Sequence, residues 1–208
     1  GTPASNWAIT DNLIDDVTGD NVTGIVIFNV DGVTVSGNVI NHDETGEAGR
    51  RGMNLDGNSD VSVTGNTVDL GDAGYLGAEG LYSLQIAMSD NPVDNVTIAG
   101  NTFSNGFYGM VTLSNGDIDG LNIQSNTFEG VVRGIALDTG SDRNEDADST
   151  VGGDADATQS NISITSNVFD IVDSGVTSEF GALVLNGRTT GDPQGTPDPI
   201  DGLTLFGN

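Results

Sequence analysis

Residues 95–103 read NVTIAGNTF, and residues 161–169 return to the same pattern as NISITSNVF. Each contains two apolar residues two positions apart, followed three residues later by an asparagine. Working outward, the hexapeptide recurs as WAITDN (7–12), VTVSGN (33–38), VSVTGN (61–66), VTIAGN (96–101), LNIQSN (121–126), ISITSN (162–167) and LTLFGN (203–208). The closing residues are Asn12, Asn38, Asn66, Asn101, Asn126, Asn167 and Asn208, at separations between 25 and 41 residues. Self-similarity on that scale marks a repeat architecture, in which each unit buries its apolar face only against its neighbours.

Alignment on the asparagines produces columns. Ile9, Val35, Val63, Ile98, Ile123, Ile164 and Leu205 stand three residues before, and Ile14, Ile40, Val68, Phe103, Phe128 and Phe169 two residues after. A second strand follows in each unit, with apolar pairs Ile25/Ile27, Met53/Leu55, Leu84/Ile86, Val111/Leu113, Ile135/Leu137 and Leu183/Leu185. Period-two alternation places each pair on one face of a strand. Stacked coils then lay like upon like, with Phe103, Phe128 and Phe169 superposed as core. The asparagines are read as structural. At a sharp bend Asn tolerates left-handed backbone geometry, and identical amides at the strand spacing of about 4.8 Å form a hydrogen-bonded ladder.

The pattern of short strand, Asn turn and following Gly-Ile-x-Leu-like strand resembles the right-handed parallel β-helix repeats of the pectate-lyase-like superfamily. GVTVSGNVI, NVTIAGNTF, GLNIQSNTF and NISITSNVF carry the resemblance, which extends from about Trp7 to Asn208. It implies an all-β, right-handed parallel β-helix (a solenoid) of about six to seven coils with an Asn ladder, roughly 30 Å long from the strand spacing. Residues 1–208 are expected to form a single domain within a longer chain, because no cap is visible at either terminal edge. Ends that stack on neighbouring copies or domains are the alternative. Coil length swells at 41–52, 70–80, 138–160 and 186–201, and such insertions tend to shape the binding face of a solenoid.

Composition narrows the partners. The 208 residues carry a formal charge of −26, with Arg50, Arg51, Arg133, Arg143 and Arg188 as the only cationic side chains besides His42. Such a surface repels nucleic acid and anionic lipid and attracts cations. It suits a halophilic or calcium-rich setting, where counterions screen self-repulsion. Only 35% of residues are hydrophobic, which a narrow solenoid core tolerates. The longest apolar run, 24–28, is too short to span a bilayer, so direct membrane insertion is not expected. Cysteine is absent, which excludes disulfides and thiolate metal sites.

Several constellations could carry chemistry. On the second strand, Arg51, Tyr82 and Arg133 occupy equivalent positions, with Tyr108 one residue off register. Asn54, Gln85, Thr112, Asp56 and Asp138 are read as outward neighbours. Tyrosine faces stack on sugar rings, and arginine with amides holds carboxylates and hydroxyls. This stripe is the expected carbohydrate surface, set against the reading that the arginines merely neutralise nearby acids. Family members that are lyases or C5-epimerases imply a base and a charge-stabilising group. Arg51, His42, Tyr82 and Arg133 would serve in that case, with Asp43 and Tyr75 nearby in sequence. The loop DRNEDADSTVGGD places Asp142, Asn144, Asp146 and Asp148 like the first half of an EF-hand-type calcium loop, although Ala147 replaces the turn glycine and Gly153 the bidentate glutamate. Outward Thr34, Ser62, Thr97, Asn122, Ser163 and Thr204 form a hydroxyl-rich face resembling that of ice-binding β-helices.

The resulting expectation is a non-catalytic extracellular or cell-surface module, structural or adhesive, that binds polysaccharide and is stabilised by calcium or other cations. A polysaccharide lyase or uronate C5-epimerase acting on an acidic glycan is the rival, and ice binding a minor alternative.

Overall fold

The computed structural model describes residues 4–19, 22–42, 49–71, 81–86, 92–114, 117–139, 158–172, 181–187 and 200–208. Among them every regular element is a β-strand, and the strands form three parallel sheets. The first sheet contains Ala4–Thr10, Val30–Ser36, Ser59–Thr64, Val93–Ala99 and Ile118–Gln124. It continues through Gln159–Ser160 with Ser163–Thr165, and Ile200–Asp201 with Thr204–Phe206. The second runs through Leu13–Ile14, Val39–Asn41, Thr67–Asp69, Thr102–Ser104, Thr127–Val131 and Val168–Ile171. The third runs through Thr23–Phe28, Arg51–Asp56, Tyr82–Ile86, Tyr108–Ser114, Arg133–Thr139 and Gly181–Gly187. Each strand pairs with its equivalent in the next repeat, the stacking of a parallel β-helix.

The first sheet buries alternate residues, with Val33/Val35, Val61/Val63, Val96/Ile98, Leu121/Ile123 and Ile162/Ile164 all inside. The second contributes Ile40, Val68, Phe103 and Phe128. Phe103, Phe128 and Phe169 are in register, with centroids 5.4 and 5.0 Å apart and the second pair stacked with nearly parallel rings at 6°. The aromatic file is core, as the columns anticipate.

The asparagine corner is built differently from the simplest expectation. The left-handed residue is the one before each asparagine: Asp11, Gly37, Gly65, Gly100, Ser125, Ser166 and Gly207 all have φ between 55° and 65°. A short or absent side chain takes that conformation at least cost. The asparagine itself is thereby turned inward, and Asn38, Asn66, Asn101, Asn126 and Asn167 are buried. There the amides join. The backbone N–H and Nδ2 of Asn66 both donate to Asn101 Oδ1 at 2.9 Å, while Asn101 Nδ2 also donates to Val63 O at 2.9 Å. The same contacts link Asn12 to Asn38, Asn38 to Asn66, Asn101 to Asn126, Asn126 to Asn167 and Asn167 to Asn208. Corner backbone groups are paired as well, for example Thr102 N to Asn66 O at 2.8 Å.

The third sheet corrects the fourth repeat. Tyr108 is the Cα partner of both Tyr82 and Arg133, so it is in register and not one residue off. Met110 and Thr112 occupy the inward positions expected for Val111 and Leu113, and Val111 joins the file of Asn54, Gln85 and Ala136. The register follows small residues. Gly52, Ser83, Gly109, Gly134 and Ala182 precede the inward pair because the second sheet presses there. A Cβ on Gly134 would lie 2.5 Å from Phe169 Cδ1 and 2.5 Å from Ala182 O, and one on Gly109 would overlap Phe128. Thr112 is consequently buried, and its hydroxyl accepts from Gln159 Nε2 at 2.9 Å across the core. It is not on the expected sugar-facing surface.

Candidate functional site

The outer side of the third sheet carries one file with chemical variety: Thr23, Arg51, Tyr82, Tyr108, Arg133 and Gly181. Parallel pairing holds these residues at the strand spacing, so long side chains contact one another along the axis. The Arg51 guanidinium lies 5.8 Å from the Tyr82 ring centroid. Tyr82 and Tyr108 follow at 5.2 Å with a 34° tilt. Arg133 closes the run at 5.1 Å from Tyr108 and 5.3 Å from Phe107. The order is therefore cation, ring, ring, cation, and each cation–ring contact is worth about 0.5–2 kcal/mol depending on its desolvation.

Hydrogen bonds fix both ends. Arg51 Nε donates to Gln85 Oε1 at 2.5 Å and Arg51 Nη1 to Gly49 O at 3.4 Å. Arg133 Nη1 donates to the Tyr108 hydroxyl. The tyrosine faces are not open to a sugar ring: Tyr82 is 3% and Tyr108 5% exposed. Gln85 and Asp56 are buried as well, whereas Arg51, Asn54 and Arg133 retain partial exposure. The solvent-accessible part of the stripe is thus guanidinium and amide, not aromatic. Among the described residues, Gln85 Nε2 and the Ser83 hydroxyl are buried polar atoms without a hydrogen-bond partner.

A second polar cluster lies at the corner between the second and third sheets. His42 is buried, and its Nε2 stands 3.1 Å from the Arg51 carbonyl oxygen. A carbonyl can only accept, so Nε2 is the donor in this contact, and among the described residues Nδ1 makes no hydrogen bond. Burial pushes the His42 pKa below its ordinary value, against the upward effect of the Arg51 backbone contact; the neighbouring Arg50 charge acts with burial, and Asp69 opposes it. Arg50 is fully buried and donates from Nη1 to Leu70 O at 3.3 Å.

The epimerase-like arrangement would need His42 to face the Arg51 and Tyr82 side chains. His42 instead engages the Arg51 backbone, Arg51 engages Gln85 and Tyr82, and Arg133 engages Tyr108 and Phe107. Tyr75, Asp43 and the loop residues Asp142, Asn144, Asp146 and Asp148 lie outside the described residues. Asp138 is in the strand Arg133–Thr139, paired with Leu113 and Asn186. Among the described residues no group of three or more metal-ligating side chains converges.

Sequence alignment on one asparagine per repeat overlooked a second corner. Six residues before each ladder asparagine, Asn6, Gly32, Asp60, Asn95, Gly120, Asn161 and Gly202 all have φ between 52° and 73°. Beside them Ser59 Oγ donates to Asp31 at 3.0 Å, and Ser160 Oγ and Asn161 Nδ2 donate to Asp119 Oδ1 at 2.8 and 2.6 Å. These last two bonds, Asn161 foremost, hold the Asp119 carboxyl below the usual carboxylate range. The recurring Gly, Asn or Asp at this offset was the available signal. On the outer face of the first sheet, Thr34, Ser62, Thr97, Asn122, Ser163 and Thr204 are in one file. The neighbouring file is interrupted by Ala99, Gln124 and Phe206, so the hydroxyl array is broken.

No protein-family model matches the chain, and no curated protein matches it in sequence.

Proposed function

We propose that the chain is a non-catalytic β-helix module of an extracellular or cell-surface protein, structural or adhesive in role, of the right-handed pectate-lyase-like type. One observation carries the reading: the side chains best suited to chemistry are engaged in holding the solenoid together. His42 is spent on a backbone carbonyl, Arg51 on Gln85, and Arg133 on the Tyr108 hydroxyl. A general base needs a free lone pair within reach of an accessible substrate proton, and buried His42 offers none to solvent. Contact with an acidic polysaccharide would fall to the partly exposed guanidinium edges of Arg51 and Arg133, three strand steps or roughly 14 Å apart.

The test is incubation with alginate and with pectate, following ultraviolet absorbance for unsaturated ends and solvent-proton exchange at C5. Neither signal is expected. An activity that Arg51→Ala abolishes would establish the lyase or epimerase reading instead. Cation stabilisation, motivated by the acidic loop 142–148 and the charge of −26, predicts a higher melting temperature in millimolar calcium than in excess chelator at matched ionic strength. Equal melting temperatures would remove calcium from the account.

A further inference from the structure

Two triplets of the form Asn-x-Ser/Thr share one place in the fold: Asn95-Val96-Thr97 and Asn161-Ile162-Ser163. Both asparagines belong to the outer corner file, with φ of 53° and 54°, and both are exposed. Both are followed by a strand of the first sheet, on which Thr97 and Ser163 stand in the same outward file with Asn122 between them. We propose that Asn95 and Asn161 are acceptors for N-linked saccharide. This rests on the extracellular reading, since the glycan donor, a lipid-diphosphate-linked saccharide, is used on exported chains.

The geometry separates these two asparagines from the rest of the repeat. Ladder asparagines such as Asn101 and Asn126 are buried with Nδ2 committed to two acceptors, and no ladder asparagine has Ser or Thr two residues on. Asn95 and Asn161 each donate to one exposed carboxylate, Asp60 and Asp119 respectively. An amide nitrogen has two hydrogens. In the transfer, Nδ2 forms a bond to the sugar C1, the C1–O bond to the lipid diphosphate breaks, and one N–H proton leaves to a base of the transferase. The remaining N–H keeps the carboxylate bond, which would hold the linkage in a fixed direction off the corner.

Space is available on the far side of each acceptor. The next residue in the file is glycine in both cases: Gly120 beside Asn95 and Gly202 beside Asn161, where a Cβ would lie 3.5 Å from the acceptor's backbone nitrogen. A larger residue there would crowd the first sugar. The two acceptors are two strand steps apart, about 9–10 Å, so their glycans would form a row along one edge of the rod. The motif itself is the recognised acceptor triplet of secreted chains.

The experiment is peptide mass mapping of the full chain recovered separately from the exterior and interior of its source cells. Peptides containing Asn95 and Asn161 are expected to carry a saccharide mass in the exterior protein, with the Asn101 peptide bare. Thr97→Val and Ser163→Ala retain the asparagines and the fold, and each is expected to abolish the mass addition at its own site only. Bare Asn95 and Asn161 peptides in exterior protein would overturn the proposal and leave the extracellular reading standing. Protein found only inside the cell, and bare, would overturn both.

Discussion

Two files of side chains run the length of this rod and are built on opposite plans. The inner asparagine corner repeats one residue in every unit, and each link is the same set of hydrogen bonds. The outer file of the third sheet has a different residue at nearly every step, from Thr23 through Arg51, Tyr82, Tyr108 and Arg133 to Gly181. Uniformity is what periodic support demands, since any unit lacking its amide leaves partners on both sides unsatisfied. Variety at fixed spacing means that each position answers to its own neighbours, and a site can only arise where the units differ.

The comparison breaks most sharply at Asn101. Asn101→Leu removes the acceptor of the Asn66 N–H and Nδ2, and deprives Val63 O and Asn126 Oδ1 of a donor. With buried unsatisfied groups costing about 1–3 kcal/mol each, a loss of about 3–5 kcal/mol is expected in denaturant unfolding. A change under 1 kcal/mol would mean the corner is held by backbone bonding alone. Next is Gly134→Ala, whose methyl group meets a carbonyl oxygen and the Phe169 ring; overpacking of this kind costs about 1–3 kcal/mol. Gly181→Ala, where the closest atom is 3.9 Å away, is the control and is expected to stay within about 0.5 kcal/mol, as surface changes do.

The outer file should respond more weakly. Arg133→Gln removes two cation–ring contacts at a partly exposed site, where each is worth about 0.5–1 kcal/mol, and is expected to cost about 1–2 kcal/mol, read from the shift in denaturation midpoint. A loss matching that of Asn101→Leu would erase the distinction between the files. The smallest effect is a pH dependence at the buried corner. His42 has a folded pKa below its unfolded value, so the unfolded chain binds its proton first. Stability is full above about pH 6.5 and declines as pH falls toward the depressed folded value. His42→Gln is expected to flatten that part of the stability curve and leave the acid limb, which belongs to carboxylates, in place.

Much of the architecture was legible because solenoid periodicity writes one residue type into one column. Val35, Val63, Ile98 and Ile123 are all fully buried at the position their alignment implies, and Phe103, Phe128 and Phe169 stack in order. What was misread depended on contacts between sheets. Val111 and Leu113 align as the apolar pair of their strand, whereas the observed register places Gly109, with no side chain, against Phe128, a constraint between sheets that no single strand carries. The left-handed turn was assigned to the asparagine because Asn tolerates it, yet the ladder needs that side chain inward and passes the turn to its predecessor. The sugar-facing stripe was an inference from residue types in register. Register was right for Arg51, Tyr82 and Arg133, but burial of both tyrosines depends on what surrounds the sheet.

The amide corner also has a sense of direction. From Asn38 to Asn167 each amide nitrogen donates one hydrogen to the oxygen of the following asparagine and the other to a carbonyl of the preceding unit, while the amide oxygen accepts only from the preceding asparagine. Whole turns can therefore be duplicated or excised without disturbing the joint, while a turn threaded backwards would set oxygen against oxygen. The molecule is a polar staircase, and any lengthening or shortening of it in evolution should proceed by complete steps climbed in one direction.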